Sequence, residues 1–352
     1  MNPVGSLDRR MTRTGLLFLA LGFQAAALSA EGEAGVIRGR VVDRMTGLPL
    51  ESANVFLAST TRGTATDAQG RFVLADVPPG FFQLTASRVG YEGEVLPVEV
   101  TGGDTVRRVI ALVPRAVGGP EVVVHGESPE AWRRDFEEFS RQFLGADRFA
   151  QGCRLLNPEV VGFRREPGTG TFLAVSDSVL RVRNNSLGYL LYITLRSFRW
   201  DSARNAVEYT VFVRFEPLVP GSPAESLEWK TNRREAYRGS VRNFLRALVS
   251  AQLEQAAFYV TNEEGESMGR DARKVVLPLP SGVRQLATDE ILRIDYAGEA
   301  EAHRNYIRLA QGLVHVGADG SLLEQQDFLI DPRSWWAEHR VGRMLPMEYV
   351  VE

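Results

Sequence analysis

Hydrophobic and polar positions change their spacing several times along the chain. Leu16 to Leu28 is almost wholly apolar, behind Arg9, Arg10 and Arg13 and ahead of Ser29-Ala30-Glu31. A positive flank, a short apolar run and small residues before an acid are the three parts of a secretory signal. Broken by Gly22 and Gln24, the run is too short for a membrane span, and no later segment is apolar enough for one. Residues 1–30 are expected to be a signal peptide, which reads equally well from Met11.

From residue 36 the period is two. Val36 to Asp43, Ala53 to Ser59, Phe82 to Ser87, Glu94 to Val100 and Thr105 to Val113 read as strands. Met45-Thr46-Gly47-Leu48-Pro49, Thr66 to Phe72 and Pro78-Pro79-Gly80 separate them. In the second of these, Asp67 can bond backbone two residues on and Gly70 can take a positive φ, which makes a tight hairpin. About seven short strands with no helix predict an antiparallel β-sandwich over residues 31–115.

Beyond a Pro/Gly-rich linker, residues 116–127, the period becomes helical. Ser128-Pro129-Glu130 offers a cap, a first-turn proline and a first-turn acid. Trp132, Phe136, Phe139 and Phe143 then form one stripe, ended by Gly145. Period two returns at Tyr189 to Leu195 and at Val207 to Phe215, an antiparallel hairpin with one buried face. A helix over about 240–257 follows. Strands are expected near 258–262, 273–277, 290–296, 305–309, 312–316 and 322–330, with a short helix around Trp335 to Met344. Without βαβ alternation, residues 128–352 read as an α+β domain. The fold class is therefore multidomain and mainly β.

Two resemblances sharpen this reading. Ile37-Arg38-Gly39-Arg40-Val41-Val42-Asp43, Thr46-Gly47-Leu48-Pro49-Leu50, Ala53-Asn54-Val55, Thr66-Asp67, Gly70-Arg71-Phe72 and Gly90-Tyr91 resemble the carboxypeptidase-regulatory-like domain. That resemblance implies a transthyretin-like sandwich close to some starch-binding domains, found in exported Bacteroidetes-type proteins and at the N-termini of TonB-dependent receptors. Phe143-Leu144-Gly145, Asn157-Pro158-Glu159-Val160, Asn184 to Tyr189, Tyr237-Arg238-Gly239-Ser240 and Arg340 resemble an uncharacterised region found behind such sandwiches. It implies an architecture and a compartment, and carries no catalytic residues.

Charge and rare residues narrow the chemistry. A net charge of −3 gives no sign of nucleic-acid binding. The lone Cys153 excludes an intramolecular disulfide and any multi-cysteine metal site. A zinc carboxypeptidase needs a His-x-x-Glu pair, and none of His125, His303, His315 and His339 supplies it. No cofactor is expected. Gly265-Glu266-Ser267-Met268-Gly269 matches a nucleophile elbow, with Asp327 or Asp331 and His339 as partners, but its context reads as a hairpin loop. A serine hydrolase is therefore a remote alternative.

Three features remain as binding candidates. Glu121-Val122-Val123-Val124 is similar to the segment grasped by TonB, and an exposed β-branched strand can add to a partner's sheet edge. Trp335 and Trp336 could stack on a sugar if exposed, although core packing is the plainer account. Arg234, Arg238, Arg242 and Arg246 recur every four residues, with Gly239 interrupting the helix. The sequence thus leads to a non-catalytic exported envelope protein, a binding or scaffolding module in the periplasm or at the outer membrane. The alternatives are a carbohydrate-binding protein and a TonB-linked partner of an outer-membrane transport system.

Overall fold

A computed structural model of the chain describes residues 33–115, 128–166, 168, 170–204, 206–262, 265, 276–279, 283–298 and 302–351. The expected signal peptide, the valine run Glu121–Val124 and Ser267 lie outside the described residues.

The first seven strands are β1 (Gly35–Asp43), β2 (Asn54–Leu57), β3 (Gly63–Ala65), β4 (Arg71–Val77), β5 (Gly80–Ser87), β6 (Glu94–Val100) and β7 (Thr105–Leu112). They form two sheets, ordered β4-β1-β7 and β3-β2-β5-β6. Alternation drives this: Ile37, Val41, Val55, Leu57, Phe72, Leu74, Leu84 and Ile110 fill the space between the sheets. The anticipated hairpin is present, with Asp67 Oδ1 accepting from the Gln69 and Arg71 amides and Gly70 at φ 72°. One pairing departs from an all-antiparallel sandwich. β1 runs parallel to β7, from Val36 opposite Thr105 to Asp43 opposite Leu112. The chain visits the other sheet between these two strands, which supplies the crossover a parallel pair requires. The pair is close: a Cβ on Gly39 would lie 1.8 Å from the Arg108 carbonyl oxygen.

Next come α1 (Pro129–Leu144), α2 (Arg148–Gln151), β8 (Cys153–Leu155), β9 (Val161–Arg165), β10 (Thr171–Ser176), β11 (Leu180–Asn184), β12 (Tyr189–Asp201) and β13 (Ala206–Pro217). α1 starts and stops where its caps dictate, with Ser128 accepting from the Ala131 amide and Gly145 closing it. β12 organises a six-stranded sheet. One of its edges holds β11 in its first half and β10 in its second, and the other edge pairs with β13 throughout. Across the sheet α1 buries Phe139 and Phe143, whose rings lie 4.8 Å apart, with Phe198 edge-on at 5.0 Å from Phe139.

The remaining elements are α3 (Pro223–Tyr237), α4 (Val241–Val249), β14 (Phe258–Thr261), β15 (Val276–Pro278), β16 (Arg284–Ala287), β17 (Leu292–Ala297), β18 (Ala302–Leu309), β19 (Leu313–Val316) and β20 (Phe328–Ile330). They give sheets ordered β14-β17-β18-β20 and β15-β16-β19. Phe244, Leu248, Phe258, Ile294, Val314 and Trp336 form an apolar core separate from the one under α1. Residues 128–352 thus hold two cores where one domain was expected.

Several expected elements shift. The helix over 240–257 ends at Val249, where Ser250 caps it and Ala251 turns to φ 55°. The C-terminal helix resolves into two 3-10 turns, Trp335–Glu338 and Val341–Arg343. α3 was not anticipated. It buries Trp229, Asn232, Ala236 and Tyr237 beneath a mostly charged surface, so its apolar stripe is faint. Its cap repeats that of α1, with Ser222 accepting from the Glu225 amide ahead of Pro223.

Candidate functional site

The tryptophan pair divides. Consecutive residues on a tight turn point in different directions, and only Trp336 enters the second core, where it is 2% exposed. Its indole N–H donates to the Gly239 carbonyl at 2.6 Å, and its backbone N–H donates to Asn305 Oδ1 at 2.8 Å. Trp336 is therefore a core residue that only borders the cleft described below, which corrects its candidacy as a stacking platform. Trp335 is half-buried. His303 lies parallel to its ring at 3.8 Å, His339 stands edge-on at 4.3 Å, and the Arg343 guanidinium sits 5.1 Å from its centroid.

Trp335 helps line a cleft of about 1210 Å³ between the two cores. The first half of β13 forms part of its wall through Val207 and Tyr209, and β20 another part through Phe328 and Ile330. The end of α1 contributes Gln142 and Gly145, and the last turns contribute His339, Arg340 and Arg343. Its polar groups serve the fold. Arg340 donates to the Gln142 carbonyl at 3.0 Å and the His339 carbonyl at 3.2 Å, while Arg343 pairs with Asp147 at 3.2 Å. Burial first, then the charges of Arg343, His303 and Arg340, push the His339 imidazole down to about 2. A histidine so held is neutral at any physiological pH and is poorly placed as a general base.

The other chemical candidates are likewise structural. Burial raises the Cys153 thiol to about 12, far from a reactive thiolate. Asp331 pairs with Arg333 at 2.9 Å and not with His339. Asn184, the acceptor of an N-x-S pattern, is fully buried and donates to the Gly342 carbonyl at 2.9 Å. The four arginines make no common face. Gly239 breaks the helix at φ 73°, Arg242 donates to the carbonyls of Pro346 and Tyr349, and Arg246 donates to the Tyr237 hydroxyl. Glu235, on the same helix as Arg234, pairs with Arg148. Among the described residues, no group of three metal-ligating side chains occurs.

A second cleft, of about 940 Å³, was not visible in the sequence because its walls come from distant segments. It is lined by Arg88, Tyr91 and Arg115 of the sandwich, by Arg181 and Arg196 of the six-stranded sheet, and by Glu159 in the turn before β9. The junction beside it is made by backbone. The Ser59 N–H donates to the Val213 carbonyl at 2.6 Å, the Phe215 N–H to the Thr60 carbonyl at 2.9 Å, and the Met347 N–H to the Ser59 carbonyl at 2.8 Å.

The geometry of the first seven strands agrees with comparison to known proteins. Residues 36–113 match the model of the carboxypeptidase regulatory-like domain, and this part of the chain is such a domain. TonB-dependent receptor P39 of Formosa agariphila is 32% identical over 115 residues, which are 31% of this chain and 10% of the receptor. The chain thus spans a small fraction of that relative's length. Among solved structures, 5-hydroxyisourate hydrolase of Klebsiella pneumoniae is 21% identical, covering 23% of this chain and 92% of its own, with a TM-score of 0.19. The 3-chlorocatechol 1,2-dioxygenase of Rhodococcus opacus 1CP is 15% identical, covering 24% and 61%, with a TM-score of 0.21. A Bacteroides uniformis protein, described provisionally as carbohydrate-binding, is 8% identical over 81% of this chain and all of its own, with a TM-score of 0.20.

Proposed function

We propose that the chain is a non-catalytic exported envelope protein, a binding or scaffolding module whose partner-facing surface is the cleft between the two C-terminal cores. One observation carries this reading. The cleft is large, and three of the titratable groups that line it are held by the fold: His339 is kept neutral, Arg343 is paired with Asp147, and Arg340 donates to carbonyls. A histidine kept neutral in this way, and arginines tied to carboxylate and carbonyls, suit holding a partner better than acid–base chemistry. The apolar run before Glu31 supports export, and the receptor match supports an envelope setting. The test is a panel of peptide and ester substrates given to the purified chain. Turnover abolished by Ser267→Ala would overturn the reading.

Carbohydrate binding is the second reading, favoured by the half-buried indole of Trp335 on the cleft wall. Titration with envelope or dietary polysaccharides should then alter tryptophan fluorescence in the wild type and not in Trp335→Ala, and a flat wild-type titration counts against it. The TonB-linked reading rests on Glu121–Val124 and the receptor match. Loss of TonB capture on deleting those residues supports it, and unchanged capture sinks it.

A further inference from the structure

β13 is the outer strand of the six-stranded sheet, and among the described residues backbone bonds cover only half of its outer edge. Val213 accepts and Phe215 donates outward, to Ser59 and Thr60 of the sandwich. Backbone groups on one side of a strand recur every second residue. The sheet's bulge lies in β12, at Arg196, so β13 keeps its alternation unbroken. The N–H and C=O groups of Val207, Tyr209 and Val211 therefore point to the same free edge as those of Val213 and Phe215. Pairing with β12 uses the residues between them. Among the described residues, no backbone partner meets these three outward positions.

The second sheet ends in the same cleft. β20 pairs only with β18, through Ala310 N–H on the Asp327 carbonyl and Asp331 N–H on the Tyr306 carbonyl. By the same alternation, the Phe328 and Ile330 backbones face away from β18. Val207 and Tyr209 of the one edge and Phe328 and Ile330 of the other line the cleft, although the Phe328 N–H already donates to the Gln325 carbonyl.

We propose that this cleft is a strand-accepting slot, and that its occupant is an extended segment of a partner protein that adds to the open edge of β13. This rests on the reading of the cleft as the partner-facing surface. Three observations select an extended peptide. The free edge continues a ladder that Ser59 and Thr60 already start, so the register is set. Three residues with outward N–H and C=O groups ask for a strand of about five residues. The flanking walls carry Val207, Phe328, Ile330 and Trp335, which suit a segment with alternate apolar side chains. Backbone bonds then give affinity with little demand on sequence, and the walls give preference for β-branched or aromatic residues at alternate positions.

The probe is a displayed library of random dodecapeptides, panned against the full chain, with the best binder synthesised for titration. Residue-resolved amide exchange should show Val207, Tyr209 and Val211 becoming protected on adding the peptide, while Glu208 and Thr210 are protected throughout. Val207→Pro removes one outward N–H without taking a bond from the sheet, and should weaken peptide binding about tenfold. Val207→Ala keeps that N–H and should stay within about threefold of wild type. A peptide whose binding falls with Trp335→Ala but leaves the three amides unprotected would overturn the strand-accepting slot and leave the cleft reading intact. Enrichment of no peptide, or equal binding by Val207→Pro, would also overturn the slot. The cleft reading itself fails if bound peptide is indifferent to Trp335→Ala and protects amides elsewhere.

Discussion

The sandwich and the region behind it solve the same problem, burying one face of several strands, by different means. The sandwich has an aliphatic core built from alternating Val, Ile and Leu, and its two sheets abut at both ends, β3 beside β4 and β6 beside β7. The outer strands of its two sheets thus lie beside one another, which helps guard a small sandwich against unwanted pairing. The six-stranded sheet instead rests on aromatic rings from separate segments, Phe139, Phe143, Phe172, Phe198 and Phe215, and among the described residues half of the outer edge of β13 has no backbone partner. A closed edge marks a unit that stands alone. An open edge beside a cleft marks one shaped to receive something.

This contrast can be broken most sharply at Trp336. Trp336→Ala should cost about 4 kcal/mol in denaturant unfolding, through the lost ring and the unpaired Gly239 carbonyl. Equal stability would mean that the second core does not depend on it. In the sandwich the corresponding weak point is a close approach. Gly39→Ala, forced against the Arg108 carbonyl, should cost about 3 kcal/mol as β1 and β7 separate. Unfolding that leaves the tryptophan signal native would show the two regions to be thermodynamically separable, since all five tryptophans lie outside the sandwich.

A pH effect sharpens the comparison, because the cleft holds a neutral histidine and the sandwich contains none. The folded His339 imidazole titrates at about 2 and the unfolded one near 6.5. Between those values the unfolded chain binds the extra proton, so stability falls with pH, by about 1.4 kcal/mol per unit below 6.5. From pH 7 to pH 5 the wild type should lose about 2 kcal/mol that His339→Gln retains. Parallel pH profiles for the two would refute the assignment. The smallest effect belongs to Trp335→Ala, about 1 kcal/mol from the lost ring contacts with His303 and His339. A cost matching that of Trp336→Ala would place Trp335 in the core as well.

Legibility in the sequence followed the same division. The sandwich could be read because each strand alternates within itself and each turn declares its geometry, as Asp67 and Gly70 do. α1 was equally plain, since caps and aromatic stripe coincide. α3 was missed because Trp229 and Tyr237 are anchored in a helix whose other faces are charged, leaving a local cap as the sole clear signal. β8 to β11 were missed because short strands of mixed polarity depend on partners far along the chain. Motif residues such as Asn157 and Asn184 could be picked out, but not their task. Asn157 joins the Val179 carbonyl and the Arg181 amide, and Asn184 ties β11 to the last turns. Neither cleft was legible, because the walls of each come together from segments far apart in the chain. The two tryptophans were told apart only by the direction of one turn.

The clasp at Ser59 has a consequence for the order in which the molecule comes together. Its amide is held by Val213 and its carbonyl by Met347, while Glu348 receives the Thr61 amide at 3.0 Å. An early loop is thus secured by a strand from the middle of the chain and by residues near position 350. A chain emerging from a ribosome or a secretion pore can finish its sandwich about a hundred residues before β13 arrives to bond that loop, and well before Met347 completes the clasp. Val213 and Phe215 can make the first backbone bonds to that loop, and Met347 and Glu348 add the second set only once the chain far beyond β13 has been made.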